Sequence, residues 1–229
     1  MGGRSRGAGV IAAAALLGAV VTLAGCAEPV EVGAARPSGD PLGLDPARDE
    51  IVNATSWPDA CEFLSDDEIT AILPQASAIT REPTPVEVID INLMGDGSQS
   101  GTAHAGACTY EIELPGSDVT SSIDVETVAV AHPKLIKRHF AEEKADAEDT
   151  AGDPPVVHGG ELGADACYST PAANTVDTYT CRSGPLMFTV WGQTFATFKD
   201  VAQGQTERHW QDRVLPEVIK TVAARVKPA

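Results

Sequence analysis

Hydrophobic and polar residues alternate along several stretches of the chain, which is the pattern of strands buried on one face. The clearest stretch is 108–114, in which every second residue is Cys, Tyr, Ile or Leu. In 123–130 the hydrophobic parity shifts after Val125, which predicts a β-bulge. Further strands are predicted over 86–93, 176–181 and 186–191.

One short helix has a clear start and a clear end in the sequence. Ser65 and Glu68 are spaced as a capping box, and Leu64 and Ile69 occupy the two positions of a hydrophobic staple. Pro74 follows and cannot continue a helix. We therefore predict a helix between Ser65 and Pro74.

Two longer segments also have helical spacing. One is predicted to begin after His132 and to run through about 147, and the other begins at about Thr206. Pro216 lies inside the second helix, so we expect a kink or a break there.

The order of these elements, strands followed by a helix and given twice, predicts an α+β fold with an antiparallel sheet covered on one side by helices. Every aromatic residue lies between Trp57 and Trp210. We therefore predict one folded domain over 57–229. The Gly- and Ser-rich segment 95–106 is predicted to be a mobile loop, and Gly159 with Gly160 to form a turn.

The first 25 residues have the pattern of a signal peptide, with Arg4 and Arg6 followed by an uncharged apolar run over 8–25. The run ends in Leu-Ala-Gly-Cys, which resembles a bacterial lipobox and predicts cleavage before Cys26 and lipidation of its thiol. Ser5 separates the two arginines, so the general secretory route is expected. A plain transmembrane anchor is the less favoured alternative.

Residues 26–56 contain no aromatic residue and four prolines. Such a composition offers little apolar surface to offset the entropy of ordering the chain. The sequence therefore predicts a flexible tether between the lipidated cysteine and the domain, with a reach of about 30 Å.

The charge of the chain restricts its partners. The 229 residues include 16 Lys and Arg against 33 Asp and Glu, a formal net charge of −17, while 43% are hydrophobic. That hydrophobic fraction is sufficient for one core, but so few cations argue against binding nucleic acid. Attachment to the outer face of the cytoplasmic membrane is expected to come from the lipid on Cys26.

Four cysteines remain after Cys26, and an even number in an exported chain points to disulfides with three alternative connectivities. We favour the local pairing, which joins Cys61 to Cys108 and Cys167 to Cys181. Their spacing contains no Cys-x-x-Cys, so zinc ligation is disfavoured, and no catalytic thiol is left over.

The stretch Asp-x-Cys-x-hydrophobic-Leu-Ser-x-x-Glu-Ile at 59–69 is similar to the opening of an actinobacterial secreted lipoprotein family known as domain of unknown function 3558. Cys108-Thr109-Tyr110 also resembles the second cysteine motif of that family. Ala60 departs from the family pattern, where proline is common. The resemblance implies a place in the cell envelope and an undefined role, and it transfers no catalytic residue.

Four aromatic residues cluster in sequence near the end of the last strand and could line an apolar pocket, although ordinary core packing is the favoured interpretation; they are Trp191, Phe195, Phe198 and Trp210. No catalytic residue, metal ligand or cofactor is predicted. The favoured function is a non-catalytic lipoprotein that binds an envelope protein or a small apolar ligand. The alternative is a cell-envelope hydrolase with a site built from dispersed acids or histidines.

Overall fold

The computed structural model describes residues 28–48, 50–91, 99–150, 154–170 and 177–226. The predicted signal peptide and Cys26 lie outside these residues. Within them, no helix combines the length and the apolar character that crossing a bilayer requires.

The centre of the molecule is one sheet of seven strands in the order β1-β2-β3-β7-β6-β5-β4, and every pairing in it is antiparallel. The strands are β1 (Ala78–Ile91), β2 (Gln99–Glu113), β3 (Ser121–Val130), β4 (Val156–His158), β5 (Ala166–Thr170), β6 (Thr178–Ser183) and β7 (Leu186–Gln193). The α+β class predicted from the sequence is confirmed.

One face of the sheet is covered by two helices, α1 (Asp66–Ile72) and a long C-terminal helix. Burial alternates strictly at the start of β3, where Ile123 and Val125 are fully buried and their neighbours are partly exposed. These side chains share the main core with Val218 and Val222 of the C-terminal helix. The alternation in sequence thus selects the face that α1 and the C-terminal helix cover.

A second helix, α2 (Pro133–Thr150), lies on the other face of the sheet. Its residues Ile136 and Phe140 pack in a separate cluster with Tyr168 of β5 and Met187 of β7. The prediction that helices cover one side only is therefore wrong. Met187 lies between Leu186 and Phe188, which face the main core, so its side chain must point to the opposite face.

The strands are longer than the hydrophobic pattern predicts. Strand β1 begins at Ala78 instead of 86, and β2 begins at Gln99, so the expected mobile loop is paired strand from Gln99 onward. The segment 99–106 has weak strand propensity, but Gln99, Gly101, Thr102 and Ala103 pair with β1, and the register is irregular between Ala103 and Ala107. The bulge predicted in β3 is confirmed and lies between Thr127 and Ala129.

The predicted capping box is present at the start of α1. Ser65 Oγ accepts from the Glu68 N–H at 3.2 Å, and Glu68 Oε2 accepts from the Ser65 N–H at 2.8 Å. The helix ends at Ile72, and the next residue, Leu73, is its C-cap.

The C-terminal helix is continuous across Pro216 but changes its winding there. It consists of α3 (Thr206–His209), a π-helical turn at Trp210–Val214 and α4 (Leu215–Val226). The Leu215 N–H bonds to the carbonyl of Trp210, five residues back. Because proline has no N–H and crowds the preceding turn, a wider turn accommodates it without a break.

The segment 30–42, here called the strap, packs along the helical side of the domain. Val30 is 1% exposed, and its N–H bonds to the Thr197 carbonyl at 2.9 Å. Further along the strap, the Gly33 N–H bonds to the Ile72 carbonyl at 2.8 Å, and the Leu42 N–H bonds to the Arg225 carbonyl at 2.9 Å. The prediction of a flexible tether over 26–56 is therefore wrong for the strap.

Both disulfides join the cysteines that the local pairing predicts. Cys61 is bonded to Cys108, with the Cα atoms 5.0 Å apart, and this bridge ties the loop before α1 to β2. Cys167 and Cys181 face each other across β5 and β6, with the Cα atoms 4.1 Å apart. The sequence separations are 47 and 14 residues.

Candidate functional site

The four aromatic residues of the predicted pocket do not come together as a set. Phe198 and Trp210 pack with their ring centroids 6.2 Å apart and are 2% and 0% exposed, so they belong to the core. Phe195 is 55% exposed. Trp191 is partly exposed and alternates along β7 with the buried Val190, which places it on the opposite face of the sheet.

Among the described residues, no helix covers that opposite face over β1, β2, β3 and the end of β7, because α2 packs against β5, β6 and the beginning of β7. The strand register places one row of side chains across four strands: Glu82 is opposite Thr109, Thr109 is opposite Asp124, and Asp124 is opposite Trp191. Glu126 follows Asp124 on the same face, since side chains repeat every two residues. We call these five residues the open face.

The carboxylates at the centre of the open face are poorly compensated. Asp124 accepts hydrogen bonds from Thr109 Oγ1 at 2.6 Å and Ser122 Oγ at 3.2 Å, yet burial raises its pKa above the ordinary value despite them. Burial also raises the pKa of Glu126. Within the described ranges, neither carboxylate forms an ion pair with Lys, Arg or His.

Trp191 lies beside these carboxylates and supplies a flat apolar surface. An indole ring next to carboxylates can attract a cation through its π-face while the carboxylates supply the opposite charge. The open face is therefore chemically suited to a basic side chain or another organic cation.

A second arrangement lies at the far edge of the sheet. Nε2 of His158 in β4 is 3.0 Å from Oγ of Ser169 in β5, and its Nδ1 is 4.0 Å from Oε1 of Glu161. The Gly159 N–H also donates to that Glu161 oxygen at 2.8 Å. The order hydroxyl, imidazole, carboxylate is that of a serine-hydrolase triad, although Ser169 is only 4% exposed.

Sequence reasoning missed both arrangements. The open face depends on the register between β2, β3 and β7, and register is a long-range property. His158 and Ser169 are on short strands that the hydrophobic pattern does not predict. No group of three or more His, Cys, Asp or Glu in the described segments is placed to hold a metal ion.

No family model matches this chain, and no curated protein or solved structure matches it either. The resemblance to the secreted lipoprotein family therefore stays a prediction.

Proposed function

We propose that this chain is an extracytoplasmic lipoprotein, anchored by a lipid on Cys26, that binds a basic segment of an envelope partner through the open face. Three features support the proposal. The lipobox-like sequence ends at Cys26, the two disulfides suit an oxidising compartment, and no cation of the described segments forms an ion pair with the carboxylates at the centre of the open face.

The observation that supports the binding function is that Asp124 and Glu126 are partly buried carboxylates with raised pKa values. Partial burial disfavours their charged forms, so a Lys or Arg brought by a partner gains Coulomb energy against carboxylates that have already lost part of their hydration. Strands β2, β3 and β7, which carry Thr109, Asp124, Glu126 and Trp191, are each paired with a strand on both sides, so recognition there falls to the side chains. A small apolar ligand would leave these carboxylates uncompensated and is the less favoured partner.

The anchor is tested by mass spectrometry of the membrane fraction of cells that express the full chain. We expect an N-terminal peptide that begins at a diacylated Cys26. A retained Met1 or an unmodified Cys26 thiol contradicts the anchor.

The binding function is tested with a ten-residue lysine peptide as the probe. We expect the double variant Asp124→Asn with Glu126→Gln to bind it about tenfold more weakly than the parent chain. The matched control is Glu142→Gln with Glu143→Gln on α2, which removes the same formal charge from an exposed helix. Equal weakening in both variants would indicate attraction by net charge alone and would contradict a specific site.

The second candidate function is hydrolysis of an ester, and the 3.0 Å contact between His158 and Ser169 favours it. In that reaction Ser169 Oγ attacks the carbonyl carbon, His158 takes the hydroxyl proton and returns it to the leaving alcohol, and water then releases the acid. A fluorophosphonate probe should label the parent chain and leave Ser169→Ala unlabelled. Absence of labelling on the parent chain removes this candidate.

A further inference from the structure

The beginning of the strap sets how far the domain can lie from a lipid on Cys26. Val30 is four residues after Cys26 and is fixed in the core by burial and by hydrogen bonds to Thr197 and Lys199. A fully extended chain spans at most about 3.6 Å per residue, so four residues allow about 14 Å between Cys26 and Val30. This is about half the reach of the flexible tether that the composition of 26–56 predicts.

The surface beside Val30 has the chemistry of a bilayer contact. Val30 pairs in parallel with Phe198, and the same loop exposes Phe195 and Lys199. Next to Lys199 is a groove of about 550 Å³ whose walls include the exposed Arg208 and Arg213. We call Phe195, Lys199, Arg208 and Arg213 the anchor-side surface.

The distribution of charge does not decide the orientation. The anchor-side surface holds three cations in a chain that has 16 Lys and Arg, two of which precede Cys26. Glu31 pairs with Lys199 at 2.5 Å, and Asp212 is 3.5 Å from Arg208. The other acids near the three cations are Glu28, Asp177, Asp200 and Glu217. Because these acids outnumber the cations, the orientation rests on the short span between Cys26 and Val30 and on the exposed Phe195, and the open face lies on the other side of the sheet from Val30.

From this geometry we infer that the strap holds the domain directly against the phospholipid surface, with the anchor-side surface on the headgroups and the open face on the distal side. This inference rests on the proposed lipid anchor at Cys26. Phe195 enters the interface as an apolar contact, and the long stems of Lys199, Arg208 and Arg213 reach the phosphates. The docked strap thereby fixes which side of the domain a partner meets.

The test uses the full chain, purified with its natural N-terminus and reconstituted into vesicles of phosphatidylcholine with phosphatidylglycerol. Flotation with the vesicles reports the anchor by itself. Hydrogen exchange then reports the orientation: we expect exchange of 195–213 to slow by about two- to fivefold on vesicles, because a surface contact suppresses local opening. Strand β1 is the internal control and should be unchanged.

The matched variant inserts 20 Gly and Ser residues between Ala27 and Glu28, which adds a reach of about 25 Å. We expect it to float as well as the parent chain while the protection of 195–213 is lost. Flotation of the parent chain without protection of 195–213, or protection of β1 instead, overturns this inference and leaves the anchor standing. Failure to float overturns the anchor, and with it the orientation.

Discussion

Glu68 in α1 and Asp124 in β3 are both carboxylates that the fold buries at least in part, but the hydrogen-bond donors around them differ. Glu68 is 0% exposed, and burial alone would raise its pKa, yet hydrogen bonds from the backbone N–H groups of Ser65, Ser38 and Gly39 lower it below the ordinary value. Asp124 has two hydroxyl donors, and burial keeps its pKa raised. Neighbouring donors, and not burial, decide which carboxylate is stable as an ion.

The difference separates a structural role from a binding role. Glu68 joins the strap to α1 and lies 3.7 Å from the guanidinium of Arg225, which also donates to the carbonyls of Asp40 and Glu62. Its hydrogen-bonding capacity is used within the chain. Asp124 and Glu126 retain capacity for a partner, because hydroxyl groups can turn toward another acceptor and no described cation pairs with either carboxylate.

We expect the largest loss of stability when the Glu68 carboxylate is removed. Glu68→Ala leaves the N–H groups of Ser38 and Gly39 without their acceptor and the buried guanidinium of Arg225 without its nearby carboxylate, so we expect the free energy of unfolding to fall by about 3–5 kcal/mol. Urea denaturation measures this loss. Glu68→Gln keeps one acceptor oxygen and should lose less; a loss below about 1 kcal/mol for the alanine variant would show that the strap does not depend on this residue.

The next variant tests the docking of the strap without changing the charge of Glu68. In Gly33→Ala the new Cβ would lie 2.1 Å from the carbonyl oxygen of Ala71, a contact that forces the strap away from α1. We expect a loss of about 1–3 kcal/mol and faster hydrogen exchange over 30–42. Gly160→Ala is the control, since a Cβ there meets nothing within 4 Å. Similar losses in the two variants would exclude the steric explanation.

Acid should release the strap. Glu217 accepts from the Ala35 N–H at 2.8 Å, and this bond together with Lys220 lowers its pKa although burial opposes them, as at Glu68. A carboxyl group whose pKa is depressed by folding stabilises the native state above its unfolded pKa, here near 4.5, and that contribution is lost as the pH falls through the folded value.

We therefore expect hydrogen exchange over 30–42 to accelerate selectively below about pH 4.5. Combining Glu68→Gln with Glu217→Gln should flatten this dependence. A uniform acceleration over the whole domain would instead indicate global acid unfolding.

The smallest expected change in the free energy of unfolding is an increase, at Asp124. Folding raises the pKa of Asp124, so its charged form destabilises the native state as the pH rises above the ordinary value of 3.8. Asp124→Asn should therefore stabilise the domain at pH 7 by about 0.5 kcal/mol, and it should also weaken the binding of the lysine peptide. The control is Asp118→Asn in an exposed turn, which should change neither quantity. A destabilised Asp124→Asn would assign this carboxylate to the fold.

Local signals explain what could be predicted from the sequence. The capping box of α1 and the bulge in β3 are written in neighbouring residues, and both are present. The local pairing of the cysteines follows from short closed loops. Alternation also places Asp124 and Glu126 on the face opposite the core, although it cannot say what lies beside them.

The features that could not be predicted from the sequence depend on long-range contacts. The strap has the composition of a flexible linker, and it is ordered by backbone groups that meet Ile72 and Arg225, far away in sequence. Trp191 reaches Asp124 only through the register of β3 with β7. His158 meets Ser169 across two strands too short to carry a hydrophobic period.

The docking of the strap on α4 also bears on how the domain folds. Arg225 accepts from the Leu42 N–H through its carbonyl, and its side chain reaches the Asp40 carbonyl across 185 residues of sequence. Contacts of such long range close a large loop, and folding slows as the mean sequence separation of the contacts grows. We therefore expect the contacts between the strap and α4 to form late in folding, after local structure such as the capped helix α1.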